Sequence, residues 1–284
     1  MFTVMPGERA RTALAGTRFA DDLRWVAETG STNADALALA RDGAAEGLVL
    51  VADHQTAGRG RHGRTWSAPP AASLLLSVLL RPPAAVLGGT TMAVAVAMAE
   101  AVEIVAGFVP RLKWPNDLVW PGDRSRGDRK LAGVLAEAEW PVGADVAAGW
   151  WSPSPSERVA VVVGVGVNVN WPDDLDAAGL PQELADIAVA ANQVAGRHVD
   201  REDLLATFLR RLDHHYDDLL AAPARVLIAW RLRSATLGRH VRVDLGVEDV
   251  EGMAVDVTHE GHLVVEIQPG ERRTFAVGDV VHLR

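Results

Sequence analysis

The chain has 284 residues, a net charge of −9, 49% apolar residues and no cysteine. That is enough length for one large domain and a small one, and enough apolar content for a packed core, which sets aside a disordered chain. The missing cysteines exclude disulfides, thiolate catalysis and cysteine-ligated zinc, and the acidic balance argues against a protein devoted to nucleic acid.

Residues 1–22 show no periodicity and read as a loosely attached arm. Arg9 and Arg11 lead into no apolar run, so no secretory signal is read. Ser31, Thr32 and Asn33 then stand before helix formers at 34–40 that close at Gly43, the pattern of an N-cap and a helix. Residues 48–52 predict a buried strand, 53–64 a glycine-rich loop, and 73–80 a strand bounded by Pro82 and Pro83. Residues 89–105 predict a buried, alanine-rich helix. Its apolar run at 92–99 is too short to span a bilayer, so a cytoplasmic protein without a membrane partner is expected.

Strand pieces at 111–114 and 118–120 flank a turn at Pro115, Asn116 and Asp117, and 121–129 is a charged surface loop. Strands are predicted at 131–140 and at the valine-rich 159–169, joined by a hairpin loop over 142–155. Helices are predicted at 182–191, 201–220 and 223–232; Leu204, Leu205, Phe208, Leu209 and Leu212 form the apolar stripe of the second. Beyond Ser234 come five short strands, at 240–245, 250–258, 262–267, 272–277 and 280–283, as in a small β-barrel. The chain therefore divides into a mixed α/β domain at 1–234 and a β-barrel at 235–284.

Three segments carry the chemistry. In the first, Arg59, Arg61 and Arg64 alternate with Gly58, Gly60 and Gly63, and Trp66 follows. Glycines let a backbone wrap a ligand, and guanidinium forks suit carboxylate and phosphate. It is not a phosphate loop of the Walker type, because no Gly-Lys-Ser/Thr follows. In the second, Lys113 precedes Trp114, Pro115, Asn116 and Asp117, and Lys130 precedes Leu131, Ala132 and Gly133. These are the only two lysines beside 26 arginines. Asp117 by itself reads as an ordinary turn residue. The third, from Gly164 through Gly166 to Asn168 and Asn170, lacks the last glycine of a dinucleotide fingerprint. It reads as a central strand open to close approach of a ligand.

In this order and combination the segments resemble the biotin–protein ligase family, from about Thr29 to the C-terminus. The resemblance implies a catalytic domain like that of class II aminoacyl-tRNA synthetases with a C-terminal SH3-like barrel. It implies biotin and ATP as substrates, Mg²⁺, and a biotinyl-5′-AMP intermediate. The acceptor would be a lysine of the biotin carboxyl carrier domain of an acyl-CoA or pyruvate carboxylase. Carried over by position, Ser31, Thr32, Asn33, Gln55, Gly58, Arg59, Gly60, Arg61, Lys130 and Gly133 face biotin. Arg61, Arg64, Trp66, Lys113, Asn116 and Asn168 face ATP. Lys130, Arg59 and Arg61 carry the chemistry, and no metal-ligand set is implied. About 30 residues precede the Ser-Thr-Asn segment, too few for the winged helix of longer family members, so an enzyme without nucleic-acid partners is expected. The alternatives are a lipoate–protein ligase, disfavoured by the arginine loop and the barrel, and a non-catalytic biotin-binding regulator, disfavoured by Lys130.

Overall fold

The valine run becomes the centre of a seven-stranded sheet. A computed structural model describes residues 7–122, 127–139, 153–175, 180, 183–246 and 248–283. In it β7 (Ala160–Asn168) lies between β3 (Ser73–Leu80) and β6 (Arg129–Glu139). β2 (Val49–Gln55) and β1 (Leu23–Thr29) extend the sheet beyond β3, and β5 (Asp117–Trp120) and β4 (Arg111–Lys113) extend it beyond β6. Only β1 and β2 are parallel, and α2 (Thr32–Arg41) makes the crossover that a parallel pair requires.

Side chains alternate between the faces of a strand, and β7 shows what each face is for. Val161, Val163, Val165 and Val167 enter the main core with α3 (Thr90–Ala106) and α6 (Arg201–Ala221). Ala160 and Val162 enter a small cluster under α2. Further along this second face stand Gly164, Gly166 and Asn168. The face is therefore apolar at one end and bare at Gly164 and Gly166, before the amide of Asn168 closes it. α3 reads strongly apolar because most of it is buried between the sheet and α6, with Glu100, Glu103 and the exposed Ile104 toward its C-terminal end.

Three expectations need correction. The N-terminal arm is not loose from Gly7 onward: α1 (Glu8–Ala13) packs on α6, and Ala10, Leu14 and Phe19 are fully buried. Arg9 bonds Asp200 at 2.6 Å, and Arg18 bonds Asp213 at 2.6 Å. Three anchors spread over ten residues leave no helical or strand period to detect. Second, β1 follows the arm. As an edge strand with mostly half-exposed or exposed side chains, it lacks an apolar signature. Third, the helix expected over 182–191 is broken into α4 (Leu184–Ile187) and α5 (Ala191–Ala195). The buried residues between them run extended, and Val189 N–H donates to Lys130 C=O at 2.9 Å. Pairing with the sheet overrides the helix propensity of alanine here. Most of the predicted hairpin loop (142–155), the end of the preceding strand, Gln182, and part of the charged loop (123–126) lie outside the described residues.

The C-terminal strands are β8 (His240–Asp244), β9 (Asp249–Val257), β10 (Leu263–Gln268), β11 (Glu271–Phe275) and β12 (Asp279–His282). They form an antiparallel sheet in the order β11-β10-β9-β8-β12, and no ladder joins β11 to β12 among the described residues. This sheet is fastened to the larger one. Trp114 N–H donates to Thr236 Oγ1 at 3.0 Å, its indole N–H to Gly261 C=O at 2.8 Å, and Ala235 N–H to Leu112 C=O at 2.7 Å. Asp128, from the charged loop, accepts from Arg239 at 3.0 Å and from Gly122 N–H at 2.9 Å, and lies 2.9 Å from His282 Nδ1. The His282 bond, against opposing burial and with help from Gly122 and Arg239, pulls its carboxyl from 3.8 down to about 2.

Two outcomes follow from this packing. Phe19→Ala should cost about 3–5 kcal/mol in urea unfolding, because it empties a fully buried site; a loss under about 1 kcal/mol would restore the loose-arm reading. Because the Asp128 pKa is depressed on folding, its stabilisation is complete above about pH 4 and lost as pH falls toward about 2. Asp128→Asn should lower stability at pH 7 by about 2 kcal/mol and flatten the acid limb of the stability profile in that window. Parallel acid limbs for the two proteins would show that the pair does not fasten the sheets.

Candidate active site

Every residue carried over by position, except Gly58, lines one cavity of about 590 Å³ above the bare end of β6 and β7. Gly58 supports it from outside. A Cβ there would lie 2.5 Å from Trp66 C=O, and Gly58 C=O accepts from Trp66 N–H at 3.0 Å.

At one end is a buried polar corner. Gln55 Oε1 accepts the Thr32 backbone N–H at 2.8 Å and lies 3.1 Å from the Thr32 hydroxyl. Ser31 occupies the N-cap position of α2, but its side chain makes no capping bond, so the glutamine satisfies that donor instead. Asn33 donates its amide to Leu135 C=O at 3.3 Å and to Glu137 at 2.8 Å, and accepts from Ser77 at 2.6 Å. Ser31, Thr32, Asn33 and Ser77 are all buried.

The glycine strand was expected to admit a ligand. The groups that use its space in this structure are the protein's own side chains. A Cβ on Gly164 would lie 2.2 Å from Asn33 Oδ1, and one on Gly166 2.7 Å from the Trp66 ring. Gly133 opposite would meet Trp66 at 3.2 Å and Lys130 Nζ at 3.1 Å. Trp66 thus lies flat against the sheet, its indole N–H buried without a hydrogen-bond partner, with Lys130 Nζ 5.4 Å from its ring centre.

The other end is cationic. Lys130 pairs with Asp117 at 2.7 Å. Burial holds the Lys113 ammonium below its usual range, opposed by Asp117 and Asp128, and it makes no ion pair among the described residues. Arg61 reaches Asn116 Oδ1 at 3.4 Å, Gly278 C=O at 3.3 Å and Asp279 at 3.4 Å, and Arg64 pairs with Asp279 as well. Burial, and to a smaller extent the neighbouring Arg64, lower the Arg61 pKa. The loop closes on itself through Gly60 N–H to Arg64 C=O at 2.7 Å, with His62 and Gly63 at positive φ. Asn168 lines the cavity, but its amide donates to Lys130 C=O at 3.4 Å and Val189 C=O at 3.3 Å. In this structure it ties β7 to its neighbours.

Sequence reasoning missed four supporting groups. Ser77 left a signal, a polar residue inside the otherwise apolar 73–80 strand. Asp117 was taken for a turn residue, yet it opens β5 and faces Lys130. Asp279 falls between the predicted strands 272–277 and 280–283, and Glu137 within the predicted strand 131–140, and neither was singled out. Nothing local marks the last two, because their partners lie 78 to 218 positions away.

The cavity thus offers a buried hydrogen-bonding corner at one end and convergent cations at the other, the features needed to hold an anionic tail against a phosphate. Residues 28–144 match the Biotin/lipoate A/B protein ligase family, and 236–283 match the Biotin protein ligase C terminal domain. The biotin--[acetyl-CoA-carboxylase] ligase of Mycobacterium tuberculosis is 38% identical over 91% of this chain and 88% of its own length. A protein of the same name from Paracoccus denitrificans is 32% identical over 90% and 98%. The fold is shared with the biotin protein ligase of Aquifex aeolicus solved with biotin and ATP, at a TM-score of 0.69, 24% identity and coverage of 93% and 99%. On these grounds the chain belongs to the biotin protein ligase family.

Proposed function

We propose that the chain activates biotin with ATP to biotinyl-5′-AMP and transfers the biotinyl group to a lysine of a carboxylase carrier domain. The observation that carries this reading is the convergence of Lys130, Lys113, Arg61 and Arg64 on one cavity whose far end is the Thr32–Asn33–Gln55 corner. A lipoyl chain carries no ureido ring to use so many fixed donors and acceptors, and the C-terminal match is to a biotin ligase domain.

The first step joins two anions. At contact, unit charges repel by about 4 kcal/mol at an effective dielectric of 20. Lys130 lies beside the Gly133 floor, where a carboxylate extending from the polar corner would reach a nucleotide α-phosphate. Its ammonium offsets the repulsion, while Asp117 and the face of Trp66 hold the side chain in place. Attack of the carboxylate oxygen on the α-phosphorus forms the mixed anhydride and releases pyrophosphate. Arg61 and Arg64 exchange Asp279 for phosphate oxygens. Covering the adenylate keeps water from the anhydride until an acceptor amine attacks its carbonyl and AMP leaves.

Mg²⁺ enters this reading with the nucleotide. Asp117, which borders the cavity and pairs with Lys130, is the carboxylate that would contribute to a cation otherwise held by phosphates and waters. When bound, the cation would neutralise phosphate charge.

Lys130→Ala should slow biotinyl-5′-AMP formation by roughly 10²–10³-fold in a single-turnover assay. The far-UV spectrum should be unchanged, since Lys130 is only half-buried. A folded variant with a near-normal rate would remove Lys130 from the chemistry.

A further inference from the structure

Glu137 lies outside the cavity, yet it touches both halves of the site. On β6, Gly133, Leu135 and Glu137 point to the same face, opposite Gly166, Gly164 and Val162 of β7. Gly133 and Leu135 line the cavity, and Glu137 is the next side chain in the row. Its Oε2 accepts from Asn33 Nδ2 at 2.8 Å, and its Oε1 faces Arg59 Nη1 at 3.5 Å.

The two contacts differ in weight. The Arg59 pair is between side chains 53% and 29% exposed, and such pairs contribute little by themselves. Asn33 is only 4% exposed, so its hydrogen bonds are made in a low-dielectric corner. An asparagine amide has two nearly isosteric ends, and its surroundings decide which end donates. Leu135 C=O and the Glu137 carboxylate are both pure acceptors on the same side, so they hold the Nδ2 end toward themselves. The opposite orientation would set Oδ1 against a carboxylate. Oδ1 is thereby fixed over Gly164, accepting from Ser77 and keeping a second lone pair.

We propose that Glu137 is a positioning residue for biotin. It fixes the Asn33 amide with its acceptor available to the ligand, and through Arg59 it docks the first arginine of the loop beside that corner. The inference rests on the reading of Asn33 as a biotin-contacting residue. Removing Glu137 leaves only the longer bond to Leu135 C=O, at 3.3 Å, to hold the Nδ2 end, so the reversed orientation, which cannot accept a hydrogen bond from the ureido ring, gains population. The loss falls on biotin binding rather than on the phosphoryl chemistry at the far end of the cavity.

The test is steady-state kinetics of adenylate formation for Glu137→Ala, Glu137→Gln and Asn33→Ala, with biotin and ATP varied separately. Glu137→Ala should raise KM for biotin about tenfold while kcat and KM for ATP stay within about threefold, the size that follows when the accepting orientation of Asn33 falls to about a tenth of the population. Glu137→Gln, whose amide oxygen still accepts from Asn33, should bring KM for biotin back to within about threefold of the parent. Should the alanine variant fail to fold, Glu137→Met keeps the stem and removes both acceptors. If Asn33→Ala raises KM for biotin and the Glu137 variants do not, the positioning role is overturned and the site reading stands. If neither raises it, both fall. A uniform loss in kcat and in both KM values would mark a structural role and overturn the inference.

Discussion

On the face of the sheet that carries the cavity, β6 and β7 present backbone where other strands present side chains. A methyl group on Gly164 or Gly166 would come within 2.7 Å of Asn33 or of the Trp66 ring. This bareness sets the positions of the other groups. Asn33 descends far enough to bond Leu135 and Glu137, which seats the start of α2, and Gln55 then completes that helix terminus. Trp66 lies flat over Gly133 and Gly166, which brings the end of the arginine loop down to the sheet and gives Lys130 a ring to rest against. The opposite face of β7 is a run of four valines, Val161, Val163, Val165 and Val167, which with Ala132 and Val134 of β6 is packed into the main core and restrains these strands from shifting to relieve a clash.

The second constraint is charge. Three arginines and two lysines around one cavity would repel one another without anions, and the protein supplies its own. Glu137 faces Arg59, Asp279 faces Arg61 and Arg64, and Asp117 faces Lys130. Asp279 belongs to the smaller sheet, so the C-terminal domain takes part in the site rather than sitting beside it. The bonds from Trp114 to Thr236 and Gly261, and the Asp128 cluster, hold that domain where Asp279 can reach the loop. This dependence gives a physical reason for the two sheets to be fastened at several points.

Much of this was legible in the sequence where chemistry is local. The alternation of glycine and arginine at 58–64, the paired lysine segments and the Ser-Thr-Asn helix start are local patterns, and the structure places their residues around one cavity. The valine strand and the five C-terminal strands were readable from periodicity and turn residues. What escaped detection depends on partners distant in the chain. Phe19 and Leu14 look like isolated apolar residues until α6 is beside them, and Val189 looks helical until Lys130 offers a carbonyl. Glu137 and Asp279 look like solvated carboxylates until the arginines fold onto them. The glycines of β7 were read as sites of close approach of a ligand, and the structure brings the protein's own Asn33 and Trp66 to them.

The central claim is that this single cavity holds both ends of biotinyl-5′-AMP. A crystal structure of the protein with that adenylate tests it most directly. The account predicts the ureido ring within hydrogen-bond reach of the Thr32–Asn33–Gln55 corner, and the phosphate in contact with Lys130 Nζ and with at least one arginine of the loop released from Asp279. An adenylate bound elsewhere, or bound here with neither Lys130 nor a loop arginine touching its phosphate, would contradict it.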